Sequence, residues 1–308
     1  MAVGGRDTSR FAARSDRPKI VTVAVSCDWS EAVGFIAVRV ATWNINSLKV
    51  RLARVEEWLV DVEPDVLCLQ ETKLADAAFP SLAFQALGYQ SISHGGDGRW
   101  NGVAILSRVG LEDPATTFNS SAIASVDVDD YVAGVLGESR FVAATCAGVR
   151  VSSVYVPNGR SLDDAHYGAK LVWLDRLIDY AARQEATGQP AVIAGDFNIA
   201  PEDRDVYDPR KFVDSTHTSA AERALLQRLL DIGMVDTFRQ LYDQDKLYSW
   251  WDYRAGDFHQ GRGLRIDLVL ASQQLAERTR WSIIDRQARK GKQPSDHAPV
   301  IVDFDDVS

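Results

Sequence analysis

The sequence is poor in cysteine and has no long apolar run. Its three cysteines, Cys27, Cys68 and Cys146, are odd in number and widely spaced, which fits neither a disulfide framework nor a zinc site. No apolar segment approaches the roughly 18 residues that a membrane span requires. The early run Ile20–Val25 is too short for the core of a signal peptide. We therefore expect a cytoplasmic protein that binds no membrane.

The chain also lacks an excess of positive charge. Lysine and arginine number 34 against 43 acidic residues, which gives a formal net charge of −9. This balance argues against a protein that coats a polyanion over its whole surface. An enzyme that meets nucleic acid at one rim is still possible, because basic residues cluster locally. The cluster is Arg286, Arg289, Lys290 and Lys292, for which a solvated loop is the alternative interpretation.

Length and composition predict one folded domain. A chain of 308 residues with 46% hydrophobic content can bury a single large core. Residues 1–37 carry mixed charge without periodicity, which predicts a disordered N-terminal extension. Residues 38–308 are predicted to form the single domain, and they contain no clear internal repeat.

Apolar segments of alternating or continuous character predict many strands. They are Val38–Trp43, Val66–Leu69, Tyr89–Ser93, Val103–Ser107, Ile123–Val128, Phe141–Thr145, Val149–Val156, Ile266–Ala271, Trp281–Asp285 and Val300–Phe304. Helical spacing predicts helices over Lys49–Val60, from a capping-box-like start at Ser161 and Asp164 to near Gly188, and over Ala221–Leu230. Helices between groups of strands predict an α+β fold of two packed sheets with helices on the outer faces.

A polar segment follows one further buried strand at the point where the strand ends. In VIAGDFNIAP, residues 192–201, apolar residues give way to Gly195, Asp196 and Asn198. A carboxylate at this place can take a proton from water, and an amide can donate to an oxyanion. Two residues of extended chain would put both side chains on one face. The alternative is a polar turn in which Asp and Asn bond their own backbone.

Four more stretches couple an apolar run to an acid, an amide, a histidine or a tyrosine. They are ATWNINSL at 41–48, VLCLQETK at 66–73, VYVPNGR at 154–160, and GLRIDLVL at 263–270 with SDHAP at 295–299. If the polar ends of these strands meet at one edge of the fold, they would form a functional site.

The residue types in these stretches suit metal-assisted chemistry. Glu71, Asn44 and Asn46 offer oxygen ligands of the kind that Mg²⁺ prefers, although Glu71 could instead form only a surface ion pair. Asp267 lies within an apolar strand, where burial is costly without a partner such as His297. Both could alternatively be structural. Tyr155 and Asn158 flank a proline turn and could contact phosphate or serve only the turn.

Taken together, the motifs resemble the exonuclease III family of DNA repair nucleases, within the endonuclease/exonuclease/phosphatase superfamily. NIN, LQETK, YVPNG, GDFNIAP, SWWDYR, GLRIDLVLAS and SDHAP occur in the expected order between Val38 and Phe304. The resemblance implies a four-layered α/β-sandwich like that of deoxyribonuclease I, with two mainly antiparallel sheets flanked by helices. It also implies a site at one end that depends on Mg²⁺, with Mn²⁺ as a possible substitute.

The resemblance further implies roles for individual residues. Those matching the family's metal site are Asn44, Glu71, Asp196, Asn198 and Asp296. Those matching its catalytic groups are Tyr155, Asp196, Asn198, Asp267 and His297, with Asn158 as an additional phosphate contact. Asp267 and His297 form the implied His-Asp pair, and either Asp196 or His297 could be the general base.

The substrate expectation comes from YSWWDYR and the following loop. Trp250 and Leu264 match two walls of a small apolar pocket for a sugar that lacks its base, whereas one of the two tryptophans is expected to be core. Ser47 stands where many family members have glycine, and positions 110–148 match only loosely.

The resemblance implies an enzyme of base excision repair. Its expected substrate is double-stranded DNA with abasic sites or 3′ ends, cut 5′ to the abasic site, with 3′ to 5′ exonuclease and 3′-phosphatase activities besides. There are three competing interpretations. The protein could be mainly an exonuclease, a phosphodiesterase that acts on another substrate, or a DNA-binding protein whose active site has lost its catalytic groups. We expect a monomer, and binding of a sliding clamp or another repair protein is left open.

Overall fold

The structure is a computed structural model that describes residues 37–96, 98–118 and 128–305. The N-terminal extension predicted over residues 1–37 lies outside these ranges except for its last residue. The strand predicted over Ile123–Val128 also lies outside them except for Val128, which is not in a strand.

The described residues form twelve strands. They are β1 Val38–Asn44, β2 Val66–Gln70, β3 Gln90–His94, β4 Val103–Ser107, β5 Glu112–Ala115, β6 Phe141–Cys146, β7 Val149–Tyr155, β8 Ala191–Asp196, β9 Met234–Asp236, β10 Asp267–Ser272, β11 Thr279–Ile284 and β12 Val300–Phe304. They make two six-stranded sheets, in the orders β11-β12-β1-β2-β4-β3 and β5-β6-β7-β8-β10-β9. Only β1 with β2 and β7 with β8 pair in parallel, so both sheets are mainly antiparallel as expected.

Seven α-helices accompany the sheets in the described part of the chain. They are α1 Leu48–Val62, α2 Ser81–Ala86, α3 Asp130–Leu136, α4 Ala165–Glu185, α5 Ala220–Asp231, α6 Asp257–Gln260 and α7 Gln273–Ala276. Among the residues that can be described, none of the helices has the length and apolar character to cross a membrane.

The period-two alternation of the central strands builds the four layers. In β1, Val40 belongs to the core between the two sheets, whereas the next residue, Ala41, belongs to a second core that includes Val55 and Leu59 of α1. On the other side, Trp173 and Leu177 of α4 pack on the outer face of the second sheet. The predicted sandwich with helices on both outer faces is therefore confirmed.

The start of α4 differs from the sequence prediction. The helix begins at Ala165, and the N-cap is Asp164, whose carboxylate accepts a hydrogen bond from the backbone N–H of His166 at 2.8 Å. Ser161 lies outside the helix, because Asp164 is the residue whose side chain caps the first turn. A capping box does occur at α5, where Ser219 and Glu222 cap each other's backbone.

Strand register brings the motif residues to one end of the sandwich. In the first sheet, Asn44 at the end of β1 lies beside Gln70 at the end of β2. In the second sheet, Asp196 at the end of β8 lies between Tyr155 of β7 and Asp267 of β10. The five motif stretches therefore meet at the same rim, although they lie far apart in the sequence.

Candidate active site

Asn44 joins the two sheets at this rim. Its side-chain Nδ2 donates to Oε1 of Glu71 and to Oδ2 of Asp196, each at 2.9 Å. Ligand atoms of Glu71, Asp196 and His297 lie within 4.8 Å of one another. Two acids and an imidazole from three separate motifs therefore share one small space.

Asp196 and Asn198 meet through a turn and not through extended chain. The backbone N–H of Asn198 donates to Oδ1 of Asp196 at 2.9 Å, and Asn198 has a positive φ of 50°. The polar-turn interpretation is therefore correct for the backbone, yet the turn also directs the Asn198 amide toward Oδ2 of Asp196 at 3.4 Å. Gly195 permits this geometry, because a Cβ there would lie 1.9 Å from the carbonyl oxygen of Val154.

Asp267 and His297 form a buried pair. Nδ1 of the imidazole lies 3.0 and 2.9 Å from the two carboxylate oxygens of Asp267, which fixes the ring orientation. Nε2 then faces Oδ2 of Asp196 at 3.8 Å. The hydroxyl of Ser249 accepts the backbone N–H of Asp267 at 3.0 Å and so holds the start of β10.

The electrostatic environment of the pair favours a charged imidazole beside a carboxylate. Burial alone would lower the pKa of His297, but the carboxylates of Asp267 and Asp196 outweigh it and raise the pKa to about 10. Burial raises the pKa of Asp196 to about 7, although the imidazolium opposes the shift. Between these values Asp196 can accept a proton while His297 holds one.

Tyr155 lies near the cationic side chain of Arg140 and the carboxylate of Glu71. The guanidinium carbon of Arg140 stands 4.6 Å from the centre of the phenol ring. Burial and the nearby Glu71 carboxylate raise the pKa of Tyr155 well above its usual value, so the phenol keeps its proton. A protonated phenol at the rim can donate a hydrogen bond to an anion.

Glu71 and Asp296 have protein partners on the open side of the site. Glu71 forms the ion pair with Lys73 at 2.8 Å that the sequence allowed, and Lys73 also donates to Oδ1 of Asn46 at 2.6 Å. Asp296 accepts from Nδ2 of Asn46 at 3.1 Å and from Nε1 of Trp250 at 3.2 Å. Burial alone would raise the pKa of Asp296, but His297 and these two donors lower it.

The donor set fits a hard divalent cation. Carboxylate oxygens of Glu71 and Asp196 meet there beside the imidazole of His297. Asn44 turns its Nδ2 toward both acids, and its Oδ1 accepts from the backbone N–H of Asn46 at 3.0 Å. Lys73, which pairs with Glu71, is partly exposed at 24%, so an ion could displace this contact. The cluster can therefore bind a metal ion.

A small apolar cluster includes the two residues predicted to be pocket walls. Trp250 and Phe212, both partly buried, pack on a buried cluster that contains Val206, Leu264 and Ile266. Backbone hydrogen bonds of 2.9 Å join Trp250 and Leu264 in both directions. The two residues predicted to be pocket walls are thus neighbours.

Trp251, next along the chain, is the tryptophan that belongs to the core. Its side chain is fully buried in a cluster with Tyr248 and Ala298. The expectation that one of the two tryptophans serves packing is therefore correct for Trp251.

Strained backbone marks the rim. Asn46, Ser47, Glu71 and Lys73 all have positive φ values although none is glycine. Ser47 has φ 93°, a conformation that glycine adopts at no steric cost. This explains why glycine would suit the position where the sequence has serine.

The basic cluster is only partly available to a ligand. The guanidinium of Arg289 is buried, donates to the carbonyl oxygen of Ser295 and lies 4.8 Å from the ring centre of Phe258. Arg286 lies 5.2 Å from the ring centre of Trp251. Arg289 therefore supports the loop, whereas Arg286, Lys290 and Lys292 are exposed.

Three site residues were missed by sequence reasoning. Arg140 lies over Tyr155, Lys170 contacts the main chain of Asn198, and His217 contacts Asn158. Only Lys170 had a usable signal, since it is a charge on the apolar stripe of a helix. Arg140 and His217 stand in polar segments with no distinguishing pattern.

Comparison with known proteins agrees with this geometry. Residues 41–297 match the endonuclease/exonuclease/phosphatase family. The chain is 35% identical to exodeoxyribonuclease III of Haemophilus influenzae over 272 residues, which cover 85% of this chain and 98% of the relative. Its fold is similar to the 3′ phosphatase NExo from Neisseria bound to a product DNA hairpin, with a TM-score of 0.80, 39% identity, and coverage of 87% of this chain and 100% of that one.

A second similar structure is an AP endonuclease from Archaeoglobus fulgidus. The TM-score is 0.79 at 36% identity, and the match covers 87% of this chain and 99% of that one. The chain therefore belongs to the endonuclease/exonuclease/phosphatase family, among its exodeoxyribonuclease III members.

Proposed function

We propose that this protein is a DNA repair hydrolase that cuts the phosphodiester 5′ to an abasic site. It also removes nucleotides and phosphate groups from 3′ ends. Similarity to enzymes named exodeoxyribonuclease III, AP endonuclease and 3′ phosphatase supports all three activities. The observation that carries the proposal is the convergence of Glu71, Asp196 and His297 in one small space.

Asp196 is the group that accepts the proton of the attacking water. Its carboxylate is oriented by Asn44 and by the backbone of Asn198, and it faces an imidazole that already carries a proton. As water attacks phosphorus, Asp196 takes the water proton and the P–O3′ bond breaks. The leaving oxygen takes up a proton to become the 3′-hydroxyl, and the abasic sugar keeps the 5′-phosphate.

His297, Tyr155 and two amides hold the phosphate while charge builds on it. Asp267 keeps the imidazole of His297 protonated and in place, so that Nε2–H can donate to a phosphate oxygen. The phenol of Tyr155 supplies a further donor. The amides of Asn158 and Asn198 now contact Val156, Asp196 and His217, and we propose that the phosphate takes over part of these contacts when it binds.

Glu71 is the principal metal ligand in this proposal. The further ligands that we propose are Asn44, Asp196, Asn198 and Asp296. An oxygen-rich set of this kind favours Mg²⁺, with Mn²⁺ as a substitute. A bound cation would polarise the phosphate and stabilise negative charge on the leaving oxygen.

Trp250 and Leu264 select the substrate. An abasic sugar has no base to unstack and is small enough for an apolar pocket, whereas an intact nucleotide is larger and must first be unpaired. A 3′ end presents the same phosphate without needing the pocket, which explains how one site could serve all three reactions.

We further propose that the enzyme acts as a monomer in the cytoplasm. All the proposed site groups come from one chain, so no second copy is needed to complete the site. The described thiols of Cys68 and Cys146 are buried and free, as is usual for a protein from a reducing compartment.

The decisive experiment is cleavage of a duplex oligonucleotide that carries one abasic-site analogue. With Mg²⁺ we expect incision 5′ to the analogue, and with EDTA we expect none. Digestion from the 3′ end without incision would make the protein chiefly an exonuclease. DNA binding without any cleavage would support the dead-site interpretation.

Trp250→Ala tests the pocket within the same assay. Loss of the aromatic wall should slow abasic-site incision by about 10- to 100-fold, whereas 3′ to 5′ digestion of an undamaged duplex should change much less. Trp251→Phe is the control for disturbed packing. An equal loss of both activities in Trp250→Ala would contradict the selection role.

A further inference from the structure

Lys170 lies on α4, a helix that carries none of the groups assigned above. Its side chain is 0% exposed and forms an ion pair with the equally buried Glu222 of α5. The same Nζ donates to the main-chain oxygen of Asn198 at 2.9 Å and approaches that of Asn158 at 3.4 Å. The charge of one lysine is therefore placed directly beneath the two loops that carry the site amides.

Glu222 extends this contact to a third loop. Its carboxylate accepts from the backbone N–H of His217 at 3.1 Å and from the hydroxyl of Ser219 at 2.6 Å. The carbonyl oxygen of His217 in turn accepts from the backbone N–H of Ala200 at 2.8 Å, just past the Asp196–Asn198 turn. The ion pair thus ties the loop of residues 217–219 to the active-site loops.

The ring of His217 completes the arrangement beside Asn158. Nδ2 of Asn158 stands 3.3 Å from Nε2 of His217 and donates to Oδ1 of Asn198 at 3.2 Å. Burial and Lys170 lower the pKa of His217 to about 4, so the neutral ring can accept from the amide. Oδ1 of Asn158 accepts from the backbone N–H of Arg160 at 3.1 Å, which fixes the direction of the amide.

We propose that Lys170, acting through Glu222 and His217, is a positioning residue that fixes the paired amides of Asn158 and Asn198 for the phosphate. This inference rests on the proposed function, which gives the two amides their role. A buried ion pair is often no more stabilising than apolar side chains of the same volume. This pair also contacts the main chain of two site residues, Asn158 and Asn198. Such contacts suit a role in positioning the site, which simple packing of the core would not need.

The test removes both charges together, so that neither is left buried alone. In the double variant K170M/E222Q we expect kcat for abasic-site incision to fall by about 10- to 100-fold, with KM changing much less. R39M/D303N is the matched control, since it removes an ion pair at the opposite end of β1 and should leave kcat unchanged. On an Asn158→Ala background the double variant should cost less than in the wild type, because only the part of its effect that passes through Asn198 is left. A loss that is the same with and without Asn158 would overturn the inference.

A second readout does not depend on which substrate is cleaved. In protein labelled with ¹⁵N at asparagine, the side-chain amide signals of Asn158 and Asn198 should move in K170M/E222Q but not in the control. If the signals do not move, the inference is wrong. If they move but the enzyme does not cleave abasic DNA, only the proposed substrate is wrong and the positioning role stands. If the double variant does not fold, His217→Ala gives the same test, with a shift of the Asn158 amide and a loss in kcat of about threefold to tenfold expected.

Discussion

The two ends of strand β1 carry charge in opposite ways. At its start, Arg39 donates to both carboxylate oxygens of Asp303 at 2.7 and 2.9 Å, and Asp65 accepts from Arg108 at 2.8 Å. The side chains of Arg39 and Asp303 are about one fifth exposed, at 20% and 19%. Each carboxylate at this end therefore has a cationic partner and access to water.

At the other end of β1, acids outnumber cations in a buried space. Asp196 and Asp267 are each 1% exposed, and one imidazole lies between them. Glu71 adds a third carboxylate, whose lysine partner is on the outside. The excess of negative charge is what a divalent cation and a reacting phosphate would neutralise.

The contrast separates stability from function along a single strand. Partly exposed, matched pairs contribute modestly to stability and need no further partner. Buried, unmatched acids are costly to fold, and they are retained where their shifted pKa values serve chemistry. The following predictions compare substitutions at the two ends.

The largest expected difference is between Asp196→Asn and Asp65→Asn. Loss of the proton acceptor should lower kcat by about 10³-fold or more, whereas loss of a charge at the start of β1 should leave kcat within about twofold. Steady-state kinetics on the abasic-site duplex measures both, and circular dichroism checks that each variant folds. Equal effects of the two substitutions would remove the functional distinction between the ends.

A second difference concerns pH. Below the pKa of Asp196, about 7 in the metal-free protein, the carboxylate is protonated and cannot accept a proton. We therefore expect ¹³C NMR of the Asp196 carboxyl to show a midpoint near neutrality, and Mg²⁺ to lower it because the cation favours the charged form. The acid limb of the kcat profile should follow the lowered value. A midpoint near 4 without metal would contradict the buried-acid description.

The smallest expected effect is at the start of β1. Arg39→Met should lower the free energy of unfolding by about 1 kcal/mol at low salt, with no change in kcat. Because the pair is partly exposed, the difference from wild type should shrink in 1 M salt. Urea unfolding at two salt concentrations measures it. If the free energy of unfolding falls by several kcal/mol and salt does not reduce the difference, the Arg39–Asp303 pair behaves as a buried ion pair and this prediction is wrong.

The central strands could be predicted because their apolar pattern is strong. Val103–Ser107 and Val300–Phe304 have the bounds that the sequence indicated. Strand β5 was missed because its residues Glu112–Ala115 are polar, largely exposed and include a proline at a sheet edge. The apolar pattern of a sequence indicates which residues are buried. It cannot predict an exposed strand such as β5, which forms because it pairs with a neighbouring strand.

The membership of the site was easier to predict than its connections. Asp196, Asp267 and His297 stood out as polar residues within apolar motifs. No spacing in the sequence shows that Asn44 bridges Glu71 and Asp196, because that contact depends on how the two sheets pack. Lys170 was missed for the same reason, since its acceptors are main-chain atoms of distant loops.

The pairing of β1 with β12 has a consequence for biosynthesis. Val38 lies opposite Phe304. One edge of β1, the first described strand, therefore stays unpaired until β12, the last described strand, has been synthesised. The segment that precedes β12 also delivers His297 to the rim. A chain emerging from the ribosome therefore has no complete active site until its final strand is free, and folding of such distant contacts is expected to be slow.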